Sequence, residues 1–163
     1  MSIDFRCKLL KNLFMKAKFT SNIRELRKEF NLAQTRLAEE TGFSNSVISD
    51  WEIGNRIPCA NAIIILSRYF QVSTDYILKV SNDNTMLHRL DDFDVDMSIF
   101  NKRLKELRTN RNLSQEQLAK RAGLTKTSIN HWENGTCLPN ANAIVTLAHF
   151  FGVTTDYLLG ESD

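Results

Sequence analysis

Residues 104–139 read LKELRTNRNLSQEQLAKRAGLTKTSINHWENGTCLP, and residues 23–58 read IRELRKEFNLAQTRLAEETGFSNSVISDWEIGNRIP. The two stretches lie 81 positions apart and belong to a longer repeat. Residues 19–80 fall on 100–161 without a gap, with 26 identities in 62 positions. Units of about 60 residues are near the lower limit for independent folding, and two copies are fewer than a solenoid needs. The repeat therefore divides the chain into an arm (1–18), a first unit (19–80), a linker (81–99) and a second unit (100–161).

Composition excludes several classes. With 42% hydrophobic and 25% charged residues the 163-residue chain has the balance of a globular protein, not of a disordered one. Six glycines and two prolines are too few for a loop-rich or all-β chain. The longest apolar run, Ala62-Ile63-Ile64-Ile65-Leu66, is far short of the roughly 20 residues that cross a bilayer. Lys8, Lys11, Lys16 and Lys18 interrupt the apolar residues near the N-terminus, so no secretory core is expected. Cys7, Cys59 and Cys137 form no close pair, which fits a reducing cytoplasm.

Period and punctuation predict helices throughout. In the second unit Phe100, Leu104 and Leu107 recur at helical spacing, ending near Asn112. Ser114 with Gln117 three residues on is a capping-box signature, and Gly123 closes the helix it opens. Thr125 caps a third helix over 126–133, whose inward residues are Ile129 and Trp132. A fourth helix over 141–151 and a short fifth over 155–159 follow. The first unit reads alike: 22–30, 34–41, 45–52, 60–70 and 74–78. The expected fold is all-α, two tandem five-helix units joined by an acidic linker.

The spacing Gln34, Ala38, Gly42, Ile48, Trp51 recurs as Gln115, Ala119, Gly123, Ile129, Trp132. A small residue lets two helices approach, glycine makes the turn, and Ile with Trp anchors the third helix by one side. The other side stays free, as in a helix-turn-helix that presents its third helix to the major groove. Both stretches, with the endings VSTDYIL and VTTDYLLG, resemble the lambda-repressor-like (Cro/Xre-type) helix-turn-helix family over about three quarters of the chain. The resemblance implies a sequence-specific DNA-binding transcriptional regulator whose partner is double-stranded DNA. Gln34 and Gln115 then touch phosphate or a base edge. Asn45, Ser46 and Asp50 in the first unit, and Lys126, Thr127 and His131 in the second, fall on the base-reading positions. Arg108, Thr125 and Asn134 match phosphate-contacting positions.

The chemistry suits the second unit. Lys126 can donate to guanine O6 and N7, Thr127 can meet a thymine methyl, and His131 can donate or accept. His131 also reads simply as a solvated helix residue. Residues 102–135 carry a net charge of +5, against −2 for residues 21–54. Phosphate neutralisation dominates affinity, so the first unit should bind DNA weakly alone. Asp50 either accepts from cytosine N4 or repels the backbone. The arm (1–20, net +4) and linker (81–98, net −4) offset each other within a total of +2.

Other chemistry finds little support. His88 and His149 have no ligand-spaced partners, and no cofactor is expected. Asp92 to Asp96 resembles a calcium loop, but Met97 stands where glycine is needed and Arg103 where the bidentate Glu belongs. The arm, with Leu9, Leu10, Leu13 and Phe14 at helical spacing, packs on a partner, touches phosphates or extends freely. No catalytic constellation is present, so an enzyme is not expected. The rival reading makes the acidic first unit a dimerisation or partner surface, leaving DNA to the second and a homodimer open. Exposed apolar residues on the fourth and fifth helices or the arm would favour it. A 19-residue linker spans roughly 60 Å extended, enough for both units to reach grooves about 34–36 Å apart. Either a direct repeat or a pseudo-palindrome of unlike half-sites satisfies that reach.

Overall fold

The computed structural model describes residues 18–83 and 95–162. The arm except Lys18, with Cys7, His88 and Asp92 to Asp94 of the calcium-like run, lies outside those residues. The chain is all-α. The first unit holds α1 (Ile23–Glu29), α2 (Gln34–Thr41), α3 (Asn45–Glu52), α4 (Ala60–Phe70) and α5 (Thr74–Ile77). The second holds α6 (Ser98–Asn110), α7 (Gln115–Ala122), α8 (Lys126–Glu133), α9 (Ala141–Phe151) and α10 (Thr155–Leu159).

Local chemistry sets the ends of these helices. Ser114 and Gln117 form the expected reciprocal capping box at the start of α7. The Thr125 hydroxyl accepts the Ser128 N–H at 3.0 Å and opens α8. Gly42 and Gly123 close α2 and α7 at φ +74° and +72°, where a side chain would be strained. One boundary differs from the sequence reading, which ends the linker at residue 99. Helix α6 begins at Ser98 because the Asp96 carboxylate accepts both the Ser98 N–H and its hydroxyl, at 2.9 and 2.8 Å. Ile48 and Ile129 are fully buried, and Trp51 and Trp132 nearly so, which seats α3 and α8 by their inner sides.

The sequence reading gives the reach of the linker and leaves the relation between the two units open. In the structure α4 and α5 pack against α9 and α10, and both units contribute to one hydrophobic core. The contact is reciprocal. Ala60 N–H donates to the Pro139 carbonyl and Ala141 N–H to the Pro58 carbonyl, both at 2.9 Å. Thr74 N–H donates to Asp156 at 2.8 Å, and Thr155 N–H donates to Asp75 at 3.1 Å. Every partner is its counterpart's equivalent 81 residues on, which is the signature of a two-fold contact between like surfaces.

Helix physics explains the polar residues at this seam. The first N–H groups of a helix have no partner of their own. Ser73 and Thr154 cap the third N–H of α5 and α10, while the carboxylate of the opposite unit takes the first. Asp75 and Asp156 are buried together with Thr74 and Thr155. Four oxygens line up: Asp156 Oδ1, Thr74 Oγ1, Thr155 Oγ1 and Asp75 Oδ1, separated by 3.0, 2.6 and 2.8 Å. Two hydroxyl protons cannot fill three gaps, so one gap lacks a proton while both carboxyls are ionised. Burial, together with the Asp75 charge, pushes the Asp156 carboxyl above its usual range against the hydrogen bonds it accepts from Thr74 and Asp75. A proton there completes the row. An Arg68–Glu161 pair at 3.0 and 3.1 Å closes one flank. Its equivalents are His149 and Val80, so the two-fold relation is approximate.

Asp156→Ala should cost about 1–3 kcal/mol in denaturant unfolding of the full chain, since the buried Thr74 N–H loses its acceptor. Asp156→Asn, which keeps an acceptor oxygen, should cost less. Because the carboxyl is raised in the folded state, its contribution is full below the unfolded pKa and is lost as pH rises through the folded value. The stability of the parent chain relative to Asp156→Asn should therefore increase from neutral pH toward the carboxylate range. A pH-independent difference contradicts the proton count.

Candidate nucleic-acid interface

The two helix-turn-helix segments are held by the same device. In the second unit, Arg108 Nε and Nη2 donate to Glu133 at 2.6 and 2.9 Å, and Nη1 donates to the Leu113 carbonyl at 2.8 Å. Gln115 Nε2 donates to the same Glu133 at 2.9 Å. In the first, Arg27 reaches Glu52 at 2.5 and 2.9 Å and the Leu32 carbonyl at 2.7 Å, and Gln34 Nε2 reaches Glu52 at 2.8 Å. The glutamates end α8 and α3, the glutamines open α7 and α2, and the arginines lie in α6 and α1. One buckle thus ties three helices and fixes how the third is presented. The glutamate side chains are only 3% and 1% exposed, which strengthens a bidentate ion pair. Burial pushes Glu52 up, but the hydrogen bonds from Arg27 and Gln34 outweigh it and hold the carboxyl below its usual range.

This geometry bears directly on the expected site residues. Arg108, expected at a phosphate, has its guanidinium occupied, with the side chain 12% exposed. Gln115 is half-buried, its Nε2 on Glu133 and its Oε1 accepting from Asn130 Nδ2 at 3.3 Å. Thr125, Lys126, Thr127, His131 and Asn134 are all exposed, at the start and along the outer side of α8 and at its C-terminal end. Lys126 Nζ lies 3.9 Å from the Glu116 carboxylate, with both side chains well exposed. In the first unit Asn45 and Ser46 are exposed, the latter 3.0 Å from the Ser44 hydroxyl, while Gln34 and Asp50 are half-buried.

Glu52, Glu133 and Asn130 carry the geometry and were not among the expected site residues. A signal for the glutamates existed: Arg27, Gln34 and Glu52 are all identical between the copies. Asn130 has no such mark, since the first copy carries Ser49 there.

The two faces differ in charge. On α2 the exposed Glu39 and Glu40 stand where α7 carries exposed Lys120 and Arg121. Arg36 is spent on Glu40, which also accepts from the Tyr69 hydroxyl. The scaffold is shared and its electrostatics are opposed.

Residues 101–161 match a family model described as a helix-turn-helix domain, and residues 23–77 match one described as helix-turn-helix. The HTH-type transcriptional activator BcrR of Enterococcus faecalis is 45% identical over 64 residues, 39% of this chain and 31% of that one. Repressor protein C2 of Salmonella phage P22 is 37% identical over 68 residues, 40% of this chain and 32% of its own. The cryptic phage CTXphi transcriptional repressor RstR of Vibrio cholerae is 32% identical over 65 residues, 40% of this chain and 59% of its own. The matched stretch thus spans between about a third and three fifths of these relatives. No solved structure matches the chain.

Removing one member of the buckle should leave a buried partner uncompensated. Glu133→Ala should lower unfolding stability by an amount near the lower end of about 3–5 kcal/mol, because Arg108 keeps some solvent contact. Arg108→Lys should also destabilise, since an ammonium cannot span both carboxylate oxygens and the Leu113 carbonyl. Parent-like denaturation midpoints for both variants contradict the buckle.

Proposed function

We propose that the chain, which carries two helix-turn-helix domains, is a transcriptional regulator of the Cro/Xre type that reads operator DNA chiefly through α8. The observation that carries the reading is the outer side of α8. Lys126, Thr127 and His131 stand exposed there on a helix whose tilt the Arg108–Glu133–Gln115 buckle holds. Lys126 donates to guanine, Thr127 meets a thymine methyl or base edge, and His131 supplies a further donor or acceptor. Thr125 at the helix start contacts phosphate, supported there by the positive end of the α8 dipole, and Asn134 beyond the helix end contacts phosphate through its side-chain amide alone. Gln115, oriented by Asn130, reaches a phosphate or base edge with what remains of its amide.

Arg108 takes a different part from the one its motif position implies. With three of its five N–H donors engaged on Glu133 and the Leu113 carbonyl, it acts as a positioning residue for α7 and α8. Lys120 and Arg121 supply the positive field over the groove flank instead. The first unit contributes Asn45, Ser46 and Asp50 through α3, more weakly, because Glu39 and Glu40 repel phosphate.

The rival reading of the first unit as a pairing surface finds its counterpart inside the chain. Its α4 and α5 are covered by α9 and α10. The large exposed apolar residues among those described are Phe30, Ile53, Ile57, Val80, Ile99 and Leu138, none on these four helices.

Lys126→Ala and His131→Ala should each cost about 1–3 kcal/mol on the preferred duplex and relax preference at one base position. Lys120→Ala should weaken all duplexes alike and flatten the salt dependence. Binding measured on preferred and scrambled duplexes over a salt series decides. A uniform loss for Lys126→Ala makes it a phosphate contact and overturns the base-reading role.

A further inference from the structure

The seam between the units defines an axis. Residues equivalent under the 81-residue repeat face one another at two places. Cys59 lies opposite Asn140 in an antiparallel bridge, and the Thr74 and Thr155 hydroxyls meet at 2.6 Å. Two self-paired positions fix a line, and the reciprocal hydrogen bonds on either side are related by a half-turn about it. Helices α3 and α8 are equivalent under the same repeat, so the half-turn carries one onto the other.

From this we infer that one chain binds DNA as its own dimer, with α3 and α8 reading two unlike half-sites in inverted orientation. The inference rests on the proposed DNA-reading function and adds to it the polarity, stoichiometry and asymmetry of the target. A half-turn reverses direction along DNA, so the two half-sites run inward from opposite strands. A direct repeat needs a translation instead, which the seam forbids while it is closed. The reach is adequate. Glu52 precedes Cys59 by seven residues, as Glu133 precedes Asn140, and seven residues span at most ~25 Å. Each reading helix therefore ends within that distance of the axis, and the groove spacing of about 34–36 Å falls inside the allowed separation.

Asymmetry follows from the side chains. Asn45, Ser46 and Asp50 replace Lys126, Thr127 and His131, so the half-sites differ in sequence. The basic second unit holds its half-site more firmly than the acidic first. The faces a second copy would use for the same contact, α4 with α5 and α9 with α10, already cover each other within one chain. One chain therefore fills one site, and the bound complex has a defined direction on the duplex.

The test uses the full chain and a random-sequence duplex library. Selection should return a motif of two unlike half-sites in inverted orientation, with one half more tightly constrained. Native mass spectrometry of the chain on that duplex should give one chain per duplex. Reversing the weaker half-site in place, which converts the target to a direct arrangement at the same spacing, should reduce affinity by about tenfold or more as second-site engagement is lost. Equal affinity for the two arrangements overturns the inference, as does a complex of two chains per duplex. A motif of a single half-site, bound by one chain, overturns it while leaving the DNA-reading function intact. Failure to bind any duplex removes both.

Discussion

Two helix starts share each other's carboxylates, and the arrangement of the whole molecule follows from that exchange. A helix of four or five residues such as α5 or α10 has little stability alone, because nucleation costs more than so few hydrogen bonds return. Each becomes worth forming when the other supplies an acceptor for its first N–H, while Ile77, Leu158 and Leu159 are buried in the shared core. The exchange is possible only because the repeat places the same Thr-Asp pair in both units. Duplication thus supplied a surface complementary to itself, and closure within one chain removes the translational cost that a two-chain dimer bears.

On that frame, scaffold and surface have separate roles. The Arg–Glu–Gln buckle is preserved in both units to within a few tenths of an ångström, so α3 and α8 are presented alike. The residues around it diverge freely. Glu39 and Glu40 replace the basic pair on α7, and Asp50 stands at the position of His131. A buried ion pair fixes geometry at little net gain in stability, and its value here is orientation. Rigid presentation with variable chemistry lets the two reading surfaces drift apart without disturbing the fold.

Much of this was legible in the residues. The ten described helices follow the expected order, and most ends agree to within a residue, because caps and left-handed glycines are local signals. Ser114, Gln117, Thr125 and Gly123 act through neighbours three or four positions away, and such interactions are written in the sequence. The seam was not legible for the opposite reason. Thr74 and Asp75 read as an ordinary helix start, and nothing local says that their hydrogen bonds end on residues about 80 positions distant. A pair of polar residues repeated so faithfully was the only hint. The Arg108 ion pair was not legible either: charge and motif position suggest a surface contact, and nothing local points to Glu133, 25 residues on, which its guanidinium binds. Long-range pairing of charges is decided by the tertiary fold and has no periodic trace.

The central claim is that the seam, and not the tether, sets the relation between the reading helices. Pulsed dipolar spectroscopy tests it most directly, with spin labels at Asn45→Cys and Lys126→Cys in a full chain whose Cys7, Cys59 and Cys137 are replaced by serine. A docked pair of units gives one narrow distance distribution in the absence of DNA, the same at low and high protein concentration. A broad distribution, as two bodies on a flexible linker would give, contradicts the account.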